Sequence, residues 1–367
     1  MTTQPTEAQI RSALAGVTDP NTGESLASPR ALKSVSVAPD GALRLAVELG
    51  YPARSQHAAL AESLRSAALA VPGVSRVEVD FSLKIVAHSV QRGLQPMPGV
   101  RNILAVASGK GGVGKSTTAA NIALALAAEG ARVGLLDADI YGPSVPTMMG
   151  IAGQKPASTD GKTMDPLRAH GLQLISIGFL IEPDQAMIWR GPMATQALEQ
   201  LLRQTNWDDL DYLVVDMPPG TGDIALTLSQ RVPLAGAVIV TTPQDIALID
   251  ARKGVKMFEK VGVPLLGVVE NMAVHVCSQC GHAEHIFGEG GGQRIAADYG
   301  MPYLGALPLA LAIRQQADGG TPTVAAEPDG AHAALYKDIA RKVAVGIAGK
   351  GKDYSARFPS ITVSQNT

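Results

Sequence analysis

The sequence is short of cysteine, of clustered charge and of long apolar runs, and each shortage removes a class of protein. Its 367 residues contain two cysteines, Cys277 and Cys280. A disulfide scaffold is excluded, and a bridge over two intervening residues would add little stability. The pair reads instead as a metal or redox site. The formal net charge is −2, with both signs interspersed. Neither a nucleic-acid footprint nor a polybasic membrane patch is expected. No uninterrupted apolar stretch reaches the roughly 20 residues that a membrane-spanning helix needs. The opening residues lack the basic and apolar regions of a signal peptide. The expectation is a cytoplasmic protein without a membrane or nucleic-acid partner.

What is present is a chain 46% hydrophobic, enough for at least one large core and long enough for two domains. Residues 1–90 read as a small α+β module. Within it, residues 6–16 suit a short helix, and 32–38 and 42–49 alternate as a hairpin around Pro39-Asp40-Gly41. Residues 55–71 form an amphipathic helix stopped by Pro72-Gly73, and 74–86 a further strand. Residues 91–99 are a linker by composition. Over residues 100–348, strands and helices alternate. Strands are expected at 102–107, 132–136, 172–177, 212–215, 237–241, 265–269 and 303–306, with a last helix over 331–347. This α/β pattern predicts a mostly parallel sheet covered by helices on both faces. Residues 349–367 read as a loose polar tail, and no internal repeat is visible.

The densest signal is Gly109-Lys110-Gly111-Gly112-Val113-Gly114-Lys115-Ser116-Thr117, lying between an apolar strand and a strong helix former. Glycines let a backbone curl until several N–H groups face one anion, and the helix N-terminus adds its dipole. Lys115 would neutralise β- and γ-phosphates, and the Ser116 hydroxyl would ligate Mg²⁺. Two acids, Asp137 and Asp139, end the next strand, where a parallel sheet opens its ligand crevice. Their competing role is to cap the helix beginning near Ser144. Asp216 closes another apolar strand in the position of an acid that holds Mg²⁺. The loop after it carries Gly220, whose N–H is suited to sensing a γ-phosphate. Lys110 sits at the mouth of a loop already served by Lys115. It suits a reach toward a neighbouring subunit's phosphates, or else is a solvated loop lysine.

These motifs, with the Cys277-Ser278-Gln279-Cys280 pair, resemble the Mrp/ApbC family of deviant-Walker P-loop ATPases that carry iron–sulfur clusters. The resemblance covers roughly residues 100–347. It implies a homodimer with nucleotide at the subunit interface, Lys110 acting across that interface, Asp139 positioning water and Asp216 serving Mg²⁺. It also implies that Asn271 reads adenine. The N-terminal module is similar to the small iron–sulfur-assembly domain of such proteins, although Asn21 follows Asp19-Pro20 where that domain carries an acid.

A [4Fe–4S] cluster wants four thiolates, and two chains supply them. Zinc held within one chain by Cys277, Cys280, His282 and His285 is the alternative, and a bare redox pair a third. The expected function is an ATP-hydrolysing carrier that transfers a cluster to apo-proteins and works with cluster-assembly proteins. Nucleotide and cluster would be coupled through the loop after Asp216 and its following helix. Rival readings are a positioning ATPase acting on membrane or DNA and a zinc-binding metal-insertion NTPase.

Overall fold

The computed structural model describes residues 4–91, 93–158, 160–180 and 191–351. Nearly all of the expected polar tail lies outside these residues. The N-terminal module consists of α1 (Glu7–Leu14), β1 (Leu32–Val37), β2 (Ala42–Leu49), α2 (His57–Leu69) and β3 (Arg76–Leu83). Helix α1 starts where Thr6 accepts from the Gln9 N–H while the Gln9 side chain returns to the Thr6 N–H, a reciprocal cap. Strand β2 is central, antiparallel to β1 and parallel to β3. Its alternate residues Leu43, Leu45, Val47 and Leu49 are buried in one apolar cluster with Leu60 and Leu64 of α2.

The larger unit begins with β4 (Val100–Ser108), α3 (Lys115–Ala128), β5 (Val133–Asp137), α4 (Val145–Met148), β6 (Leu167–Ala169) and β7 (Leu172–Ser176). It continues through α5 (Gly191–Arg203), β8 (Leu210–Asp216), α6 (Asp223–Arg231), β9 (Leu234–Thr241), α7 (Asp245–Lys260) and β10 (Leu265–Glu270). A two-stranded hairpin of β11 (His275–Val276) and β12 (Ala283–Glu284) follows. The last elements are α8 (Gly291–Asp298), β13 (Tyr303–Ala306), α9 (Leu311–Asp318), α10 (Thr323–Ala326) and α11 (Ala331–Ala348).

Eight strands form one sheet in the order β13-β10-β9-β4-β8-β5-β7-β6. All of its pairs are parallel except the edge pair β6–β7. Strands β5, β8 and β9 are buried at every residue, as continuous apolar strands covered on both faces must be. The order places β4 between β8 and β9, so the chain leaves β4 at a switch in winding direction, where such sheets open a crevice. Register sets Asp137 beside Asp216, and Asp216 beside Val106. The strand ends, and with them the acids, are thereby aligned.

The two units are stitched together. Glu129 caps the C-terminus of α3, a position its charge disfavours because of the helix dipole. It is held by the Ser55 N–H (2.8 Å), the Ser55 hydroxyl (2.5 Å) and Arg341 Nη1 of α11 (2.8 Å). Gln91, in the stretch that reads as a linker, is buried. Its amide donates to Ser229 O and Val232 O and accepts from the Leu234 N–H. Among the described residues no helix is long and apolar enough to cross a membrane.

Candidate nucleotide and thiol site

The loop from Gly109 to Gly114 joins the end of β4 to the start of α3, with Gly112 and Gly114 in the left-handed region at φ 81° and 80°. It forms one wall of a cavity of about 590 Å³ lined by Lys110, Gly111, Gly112, Gly114, Lys115, Ser116 and Thr117. Val113 lies behind the loop, buried. Its carbonyl accepts a hydrogen bond from Asn271 Nδ2 at 2.9 Å. Asn271 lines the same cavity, but its amide donor braces the loop.

Lys115 is 6% exposed and makes a 2.5 Å ion pair with Asp216, with Asp139 at 3.6 Å and the Ser116 hydroxyl at 3.1 Å. One buried ammonium therefore faces two strand-end carboxylates. Asp216 Oδ2 and Asp139 Oδ1 are buried without a hydrogen-bond partner. Such atoms are costly unless a cation, water or donor arrives. Burial raises the Asp216 carboxyl against the opposing pull of Lys115. Asp137 is pushed up to about 7, by burial first and by the neighbouring Asp216 charge second.

Asp137 accepts from the Val145 N–H at the start of α4, the Asp139 N–H and the Ser176 hydroxyl. It thus fills the capping role weighed for it, and of the two acids Asp139 is the one that lines the cavity. The Gly220 N–H donates to Ser108 O at 2.9 Å, a bond that any γ-phosphate contact by this N–H must replace. Lys110 lies on the cavity wall with no ion-pair partner among the described residues.

The opposite wall comes from residues far away in sequence, Pro308, Leu309 and Ala310 after β13 with Ile313 and Arg314 of α9. Motif reading passes over them. The one available signal is the rule that carboxyl ends of parallel strands line the crevice, applied to β13.

Cys277 and Cys280 sit on the turn between β11 and β12, the first partly exposed and the second exposed. The Cys277 N–H bonds to His282 O, and the Gly281 N–H to Cys277 O. The Cys277 thiol is lowered below its usual range, chiefly by the Gln279 N–H and then by the Cys280 N–H and side chain. His285 turns its Nδ1 to Ala273 O at 2.7 Å. Among the described residues no group of three or more His, Cys, Asp or Glu is gathered as a metal site.

A glycine-rich loop between a buried central strand and a buried helix, faced by strand-end acids in a parallel sheet, defines a P-loop NTPase. The family profile described as NUBPL iron-transfer P-loop NTPase (ParA) matches residues 99–344, and that of an iron–sulfur cluster assembly protein matches residues 7–81. The chain belongs to the NUBPL iron-transfer P-loop NTPase family, and it is an ATPase.

It is similar to the iron–sulfur cluster carrier protein of Pseudomonas fragi, with 61% identity across 73% of this chain and 94% of that one. The protein of the same name from Salmonella typhimurium is 50% identical across 94% of this chain and 93% of its own. Among solved structures, a nucleotide-binding protein of Archaeoglobus fulgidus in complex with ADP is 36% identical. The match has a TM-score of 0.54 and covers 60% of this chain and 87% of that one.

Proposed function

We propose that this chain is a cytoplasmic homodimer that hydrolyses ATP, carries a [4Fe–4S] cluster between the cysteine pairs of its two subunits and hands it to apo-proteins. The observation that carries this reading is the lone thiol pair on a solvent-facing hairpin, without a third metal-capable partner among the described residues. A four-thiolate cluster then needs a second copy. The relatives are named iron–sulfur cluster carrier proteins, which supports the carrier part of this reading.

In the nucleotide site, the N–H groups of Gly109 to Thr117 cradle the phosphates. Lys115 leaves Asp216 to neutralise the β- and γ-oxygens. Lys110, unpaired by any described carboxylate, reaches the partner's phosphates. Asp139 orients the attacking water. Asn271 faces the base, with its amide nitrogen holding the loop. The unpartnered Asp216 oxygen and the Ser116 hydroxyl are hard oxygen donors that fit Mg²⁺. That ion would supply charge neutralisation along the transferring phosphate.

The test is protein purified without oxygen, assayed for its visible spectrum, iron, sulfide and zinc. The expected result is a broad visible band with iron and sulfide. Cys277→Ala should lose the band and keep ATP turnover, while Lys115→Ala should keep the band and lose turnover. A colourless zinc protein would overturn the carrier reading.

A further inference from the structure

We propose that His275 is a positioning residue through which nucleotide in the cavity sets the exposure of the Cys277–Cys280 pair. The inference rests on the cavity being the nucleotide site, and it deepens that reading by naming the connection.

The cysteine hairpin is attached to the rest of the molecule by a short ladder. The Ala273 N–H bonds to Leu307 O at 3.0 Å, and the Leu309 N–H to Val274 O at 2.9 Å. The His275 ring then donates from Nδ1 to Leu309 O at 3.0 Å. Leu309 stands between Pro308 and Ala310, and all three line the cavity opposite the phosphate-binding loop. The same segment is tied to that loop at its other end, where Asn271 Nδ2 holds Val113 O. Residues 271–275 therefore span from one cavity wall to the other, and Cys277 begins two residues later.

A ligand filling the cavity pushes on both ends of this strap at once. Leu309 commits both its N–H and its carbonyl to the strap, the second through a side chain, and it also lines the cavity. His285 provides a contrast. It also bonds the strap, at Ala273 O, but it makes no hydrogen bond to the cavity-wall residues 308–310, so it holds the return strand without touching the wall. Between the loop after Asp216 and the hairpin, no hydrogen bond joins the described residues. Its Gly220 N–H is spent on Ser108 O. The hydrogen-bonded route from cavity to thiols among the described residues thus runs through residues 271–275 and 307–310.

One neutral hydrogen bond can transmit a bias of roughly fivefold. The test uses full-length protein, reduced and stripped of metal with a chelator. The rate of thiol reaction with a disulfide reagent is measured with no nucleotide, with Mg-ADP and with a non-hydrolysable ATP analogue. Nucleotide affinity is measured on every variant. Wild type should change its thiol rate on the order of fivefold with nucleotide. His275→Ala should bind nucleotide normally and lose the difference, and His275→Asn, which keeps a short donor, should restore part of it. His285→Ala should raise the rate equally in all states and keep the ratio. A preserved ratio in His275→Ala, or its loss in His285→Ala as well, overturns the assignment. So does a wild type that binds nucleotide without any change in thiol rate. Failure of wild type to bind nucleotide overturns the reading of the cavity itself.

Discussion

At the scale of single residues, the chemistry of the site is a contest between burial and charge. Lys115 alone faces Asp216 and Asp139, and Asp137 lies beside Asp216 by strand register. Full burial, and after it the neighbouring Asp216 charge, disfavour the Asp137 carboxylate, so near neutral pH this carboxyl is only partly ionised. Its carboxyl stands at about 7, against 3.8 when unfolded. The folded state therefore binds the extra proton between these values. The stability this contributes is full below about pH 4 and is lost as pH rises through about 7. In nucleotide-free protein, urea unfolding of wild type against Asp137→Asn from pH 5 to 8 should show this loss in wild type and a flatter curve in the variant. Parallel curves would remove Asp137 as the source. Sequence alone allowed Asp137 either a nucleotide role or a helix cap. Only the positions of Val145 and Ser176 decided for the cap.

At the scale of elements, the phosphate-binding loop is a joint between a strand and two helices. Its glycine spacing was legible in the sequence because curled backbone requires it. The reason for Gly109 was not. A Cβ there would fall on the Asp250 carbonyl carbon and oxygen and on the Ala251 nitrogen of α7, a backbone that cannot step aside as a flexible side chain can. Gly109→Ala should therefore displace the loop or α7 and weaken nucleotide binding by roughly tenfold or more, measured by titration. Unchanged affinity would mean that α7 yields without cost. The sheet elements themselves were readable, since continuous apolar runs such as β9 have no other use in a chain of this composition. The edge strand β6 was missed, because three residues carry no periodicity.

At the scale of the whole molecule, the N-terminal module is locked to the ATPase unit through Glu129, 2% exposed, and its partner Arg341. Removing one member of a buried pair leaves an uncompensated charge. Arg341→Met should therefore cost about 3 kcal/mol or more in chemical denaturation at neutral pH. Adding Glu129→Leu should recover much of the loss, at the remaining cost of the Ser55 contacts. A single variant as stable as wild type would show that the carboxylate finds water. Neither residue carries a sequence signal, since they lie 212 positions apart. Gln91 shows the same blindness, as its segment reads as a linker while its side chain closes three backbone bonds in the core.

The sequence by itself determined the alternation of strands and helices, the phosphate-binding loop, the strand-end acids and the solitary thiol pair. These follow from local rules: backbone freedom at glycine, apolar periodicity and the counting of ligands. Tertiary structure decided what depends on residues distant in the chain. It gave Asn271 the task of bracing Val113, built the far cavity wall from the segment after β13, and hung the cysteine hairpin from that wall through His275. A hydrogen bond between positions 34 residues apart leaves no trace in spacing or composition. It exists only because β10 and β13 lie side by side.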